Sequence, residues 1–69
     1  MLKNDPPPRT KIRLLRETKR PLRVLKADER GYLIRPLAQY KVDHPDDRFE
    51  VEFASERFVV SRRDIDVVE

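Results

Sequence analysis

Cysteine and tryptophan are absent from this chain, and glycine occurs once, at position 31. Without cysteine no disulfide reinforces the fold, and no Cys/His cluster suggests a structural zinc site. No apolar run reaches 18 residues, so no membrane insertion is expected. The opening residues Met1-Leu2-Lys3-Asn4-Asp5-Pro6-Pro7-Pro8 lack the apolar core of a secretory signal. The expectation is an intracellular, cytoplasmic protein.

Catalytic groups are also scarce. The single histidine, His44, lies in Asp43-His44-Pro45-Asp46-Asp47, where carboxylates and an imidazole could in principle ligate a metal. A proline-containing solvent loop provides neither fixed geometry nor supporting contacts, so an exposed polar loop is the better reading. Ser55 and Ser61 have no base nearby in sequence, and a nucleophilic hydroxyl needs one. Glu50 and Glu52 point the same way on a strand, but an open sheet face gives no reason for a raised pKa. No enzyme activity and no cofactor are expected.

What the chain has in abundance is charge. Charged residues make up 42% of the 69 residues, and the net charge is +3. Such a charge density can indicate disorder, but the apolar residues fall in short alternating runs, which favours a folded domain. A domain this small has a thin core, supplying about 3–5 kcal/mol. The charges are unevenly spread. Residues 1–41 hold 12 Lys/Arg against 4 Asp/Glu, whereas residues 42–69 hold 4 against 9. Arginine outnumbers lysine 11 to 5, a bias suited to bidentate contacts with phosphate or carboxylate, and equally produced by a GC-rich genome.

Residues 1–9 read as a disordered Pro-rich tail, because three consecutive prolines exclude both helix and ladder. Residues 10–69 read as one all-β domain. Ile12 and Leu14 alternate with Lys11, Arg13 and Leu15, predicting a strand that ends near Thr18. A helix from about Lys11 to Arg20 is the alternative there, but Ile12, Leu15, Lys19 and Leu22 hold no helical stripe and Pro21 would end it. A second strand follows at Leu22–Ala27. Asp28-Glu29-Arg30-Gly31 is expected to be a tight turn with Gly31 at a positive φ. Tyr32–Arg35 is a third strand, and Pro36 requires an edge, a bulge or a strand end. Residues 37–42 are either extended or irregular.

Arg48-Phe49-Glu50-Val51-Glu52-Phe53 alternates with period two, placing Phe49, Val51 and Phe53 in the core. Ala54-Ser55-Glu56 turns the chain, and Arg57–Ser61 pairs back. Arg62–Ile65 suits one 3₁₀ turn, and residues 66–69 a terminal strand.

This closing half resembles SH3-like small β-barrels, in which a 3₁₀ turn commonly separates the last two strands. The resemblance implies a five-stranded SH3-like barrel with a short 3₁₀ turn before the last strand. It covers architecture only. The tryptophan and acidic-aromatic run of proline-peptide-binding SH3 domains, the aromatic cage of Tudor domains and the glycines of KOW modules are all missing. No motif ties the chain to the small SH3-like accessory subunits of electron-transfer complexes. A shared fold says little about function.

The basic segment carries the strongest functional signal. Arg9, Lys11, Arg13, Arg16, Lys19, Arg20 and Arg23 lie within 15 residues, with Glu17 the only acid among them. Phosphate contacts from such residues give salt-dependent, sequence-independent affinity. Tyr32 and Tyr40, with Arg35 between them, offer stacking surfaces for unpaired bases. The blander readings are a solvated face whose cations pair with Glu50, Glu52, Glu56 and Asp66, and tyrosines that cap the core.

Two functions are expected from this pattern. One is a nucleic-acid-binding module using these ten residues. The other is a protein-interaction module or accessory subunit docking on a larger assembly, with a homodimer pairing basic and acidic sides as its variant. Pro6-Pro7-Pro8-Arg9 could serve as ligand for a proline-recognising domain.

Overall fold

The computed structural model describes residues 1–39 and 44–68. Among them, seven strands and one 3₁₀ turn follow in order. They are β1 (Lys11–Leu14), β2 (Thr18–Arg20), β3 (Arg23–Leu25), β4 (Arg30–Pro36), β5 (Arg48–Phe53) and β6 (Glu56–Ser61). The 3₁₀ turn Arg62–Asp64 and β7 (Ile65–Val67) complete the set. Five strands form one antiparallel sheet in the order β6-β5-β4-β1-β7, and β2 and β3 form a separate hairpin.

The all-β class and the 3₁₀ turn before the last strand agree with expectation, but a closed five-stranded barrel does not. Seven strands lie in two sheets, and β6 and β7 are unpaired with each other among the described residues. β3 falls within the strand expected at Leu22–Ala27, whereas β2 is additional and comes from the end of the strand expected to run to near Thr18. That strand stops at Leu14, where Leu14 N–H donates to the Glu29 carbonyl at 2.8 Å and Leu15 N–H to the Asp64 carbonyl at 2.7 Å. The chain then makes its own hairpin, turned at Pro21-Leu22, where proline pre-sets φ and needs no donor. No helix forms over residues 11–20.

One face of the large sheet is apolar. Ile12, Leu14, Leu33, Phe49, Val51, Phe53, Val60 and Ile65 are buried, each at 0–1% exposure. Burying such side chains stabilises by about 1.5–3 kcal/mol apiece relative to exposure. The core is completed from outside the sheet by Leu25 of β3 and by Leu2. The amino-terminal residues expected as a disordered tail therefore contribute a core side chain, and Leu2 N–H donates to the Arg62 carbonyl at 3.1 Å. Reading the prolines as the whole character of that segment overlooked the leucine before them.

Gly31 sits inside β4 and not at a positive φ; the left-handed residue of that turn is Asp28, with φ 69°. Glycine is required at 31 for space. A Cβ there would lie 1.9 Å from the Glu52 carbonyl oxygen and 2.6 Å from Phe53 Cδ1. The tight β5–β6 turn uses Ala54 and Ser55, at φ 51° and 66°, a pairing of positive φ values that usually selects Asn-Gly. Pro36 ends β4 after a register shift between Leu33 and Arg35, consistent with the strand end and bulge that proline demands.

Candidate nucleic-acid interface

The pleat sends alternate residues of each strand to opposite faces. With Ile12 and Leu14 buried, Lys11 and Arg13 of β1 face outward. Lys11 is opposite Tyr32 of β4, and Arg13 is opposite Arg30. Residues directly opposite across antiparallel strands have Cβ atoms about 5 Å apart. Three cations and an aromatic ring thus share one patch of the outer face. The Lys11–Tyr32 row continues to Glu52 on β5, and Arg13 faces Asp66 on β7.

Lys11 and Arg30 have no ion-pair partner among the described residues. Arg13 meets Asp28 at 3.5 Å, with both side chains substantially exposed, so the pair is worth little and Arg13 is readily diverted to a ligand. Two shallow depressions adjoin this patch. One, of about 300 Å³, is lined by Lys11, Arg30, Gly31, Tyr32 and Val68. The other, of about 400 Å³, is lined by Arg13, Arg30, Asp66, Val67 and Val68. They share Arg30 and Val68. Tyr32 is 41% exposed.

The remaining expected residues are dispersed. Arg9 is exposed, at φ 71°, and its N–H donates to the Leu33 carbonyl at 2.7 Å. Arg16 pairs with Asp64 at 3.3 Å, and Arg35 with Glu50 at 2.9 Å. Lys19, Arg20 and Arg23 belong to the β2–β3 hairpin, away from Lys11 and Arg13. Lys19 is exposed, whereas Arg20 donates to the Val59 carbonyl on the outer edge of β6. Arg23 bridges Glu29 at 3.0 Å and Glu56 at 3.1 Å and lies 5.5 Å from the Phe58 ring centre. Tyr40 lies outside the described residues, as does Asp43 of the His44 loop. His44 Nδ1 accepts a hydrogen bond from Asp46 N–H at 3.1 Å, and no described group of three or more His, Cys, Asp or Glu side chains is arranged to hold a metal ion.

Arg30 was missed because residues 28–31 read as a turn. The register with Arg13 was the signal: extending β4 by two residues toward its start brings Arg30 opposite β1.

Among the described residues two charged side chains, Asp47 and Arg62, are buried, and they serve the fold. Arg62 is 1% exposed. Its Nε and Nη2 donate to Asp47 Oδ2 at 3.2 and 3.0 Å, Nη2 to Asp5 Oδ1 at 2.7 Å, and Nη1 to the Asn4 carbonyl at 2.6 Å. Its guanidinium carbon lies 4.9 Å from the centre of the Phe49 ring. Burial disfavours the charge, but hydrogen bonds to Asp5 and Asp47 and their negative charges outweigh it, raising the Arg62 pKa above the usual arginine value.

Among the described residues no helix is long and apolar enough to cross a membrane. No family model matches the chain, and neither a curated protein nor a solved structure is significantly similar to it.

Proposed function

We propose that this protein is a small nucleic-acid-binding module that holds the phosphate backbone on the outer face of its large sheet. The reading is carried by one observation: the β1–β4 register juxtaposes Lys11, Arg13 and Arg30 around Tyr32, with Lys11 and Arg30 free of ion pairs among the described residues. Lysine and arginine at such a face gain affinity by displacing counterions from the nucleic acid. A nucleic-acid partner implies an intracellular setting.

The interface is smaller than the whole basic segment. Arg16, Arg23 and Arg35 pair with Asp64, Glu29 and Glu50, carboxylates much less exposed than the Asp28 that meets Arg13, so they contribute less than Lys11 and Arg30. An SH3-like topology, open and not closed into a barrel, is the architectural part of this proposal. The strand order β6-β5-β4-β1-β7, a hairpin inserted between β1 and β4, and a 3₁₀ turn before the last strand support it.

Fluorescence anisotropy with labelled RNA and DNA tests the function. The expected result is binding tighter than about 100 μM at roughly 50 mM salt, lost in the Lys11→Glu/Arg30→Glu double variant. Binding that survives the double reversal would move the interface elsewhere.

A second reading, a protein-docking module, is favoured by the hairpin. Leu22 at its tip is 99% exposed and Val24 beside it is 44% exposed. A partner captured by the wild type in nuclease-treated lysate and lost with Leu22→Ser would favour this reading.

A further inference from the structure

Resting on that reading, we infer that the outer face takes single-stranded nucleic acid, one base stacking on Tyr32 while the flanking phosphates contact Lys11 and Arg30. Three observations combine to select an unpaired strand over a duplex.

The first is the composition of the depression beside Tyr32. Its walls mix two cations, Lys11 and Arg30, with the tyrosine ring, Val68 and the bare backbone of Gly31. A surface for duplex phosphates alone needs charge and no apolar floor. An unpaired base presents an apolar face and needs a surface to cover it.

The second is the position of the ring. Tyr32 is directly opposite Lys11, and Arg13 and Arg30 form the neighbouring row. Along β4, Arg30 and Tyr32 are two residues apart and share the outer face. A base on the ring therefore has one cation across the strand pair and another along β4. In a duplex the base faces are stacked on one another and unavailable to the ring.

The third is the size and charge of the patch. A volume of about 300 Å³ is a shallow seat for one nucleotide. Glu52 continues the Lys11–Tyr32 row on the far side and Asp66 bounds the Arg13 row. An acid therefore borders the patch on each side, with Arg57 of β6 beyond Glu52. A duplex would have to bring its second strand of phosphates over one of these acids.

Anisotropy with labelled oligo(dT) and oligo(rU) of about 12 nucleotides, and with a duplex of the same length, separates the possibilities at roughly 50 mM salt. Single strands are expected to bind at least about tenfold more tightly than duplex. Tyr32→Ala is expected to weaken single-strand binding about tenfold while leaving duplex binding unchanged, and Tyr32→Phe to retain it. Tyr32→Thr, which keeps strand propensity, serves as a second ring-deleting variant should the alanine variant fold poorly. Equal or tighter binding of duplex, or wild-type affinity in Tyr32→Thr, would overturn this inference. If Lys11→Glu/Arg30→Glu still abolished binding in that case, the phosphate-binding interface would stand without the stacking. Absence of binding to every oligonucleotide would overturn the proposed function itself.

Discussion

Arg62 and Asp47 form a buried ion pair, 1% and 0% exposed, joined by two hydrogen bonds to one carboxylate oxygen at 3.2 and 3.0 Å. The pair ties the 3₁₀ turn to the start of β5, and through Asn4 and Asp5 it fastens the amino-terminal segment. Such a pair is fragile to removal of one partner, because the other charge stays buried and uncompensated. Asp47→Asn or Arg62→Met should each cost about 3–5 kcal/mol in chemical denaturation. The double variant Arg62→Met/Asp47→Leu should cost less than the sum, as a double-mutant cycle will read. Since the arginine pKa is raised, its contribution is fully present below the usual arginine value and disappears only above it. Mild alkali should therefore leave this contact intact.

Leu2 is as buried as any residue of the sheet. Leu2→Ala should destabilise by about 2–3 kcal/mol, the range for a leucine removed from a core. A change near zero would show that residues 1–9 do not contribute to the fold. The three prolines that follow made this segment read as unstructured. Nothing in a local pattern reports that Arg62, 60 residues away, donates to the Leu2 carbonyl.

Gly31→Ala should cost about 3 kcal/mol, because the new methyl group meets the fixed backbone of Glu52 as well as the Phe53 ring. A substitution tolerated without loss of melting temperature would contradict the close β4–β5 approach. The sequence shows that position 31 is special, since it holds the only glycine. It misleads about the cause, attributing to backbone φ what belongs to a neighbouring strand.

Ala54 and Ser55 adopt positive φ without the residues that favour it. Ala54→Asn/Ser55→Gly should raise stability by about 1 kcal/mol, since left-handed backbone is costly for residues with a Cβ. The melting temperature of the double variant checks this, and a fall would argue against the turn geometry.

Legibility varied with how local each determinant is. β5 was plain because Phe49, Val51 and Phe53 alternate with Glu50 and Glu52, and all three are buried. β6 and the 3₁₀ turn followed from proximity to β5. The β2–β3 hairpin was half legible: β3, with its core residue Leu25, lies within the strand expected at Leu22–Ala27, whereas β2 buries no side chain and looks like charged loop. The candidate interface was half visible. Lys11, Arg13 and Tyr32 stood out as charged or aromatic residues on strands, whereas Arg30 needed the β1–β4 register. Counting cations alone could not separate Lys11 from Arg23, because the acids Glu29 and Glu56 reach Arg23 only through the fold.

The proposed phosphate-binding face lies between β1 and β4. Its most direct test is the salt dependence of oligo(dT) binding by the wild type and by Arg30→Glu. Three cation contacts to a single strand predict a log–log slope of about −2, which the substitution should make shallower by roughly 0.7 or more. A flat slope, or one that Arg30→Glu leaves unchanged, would contradict it.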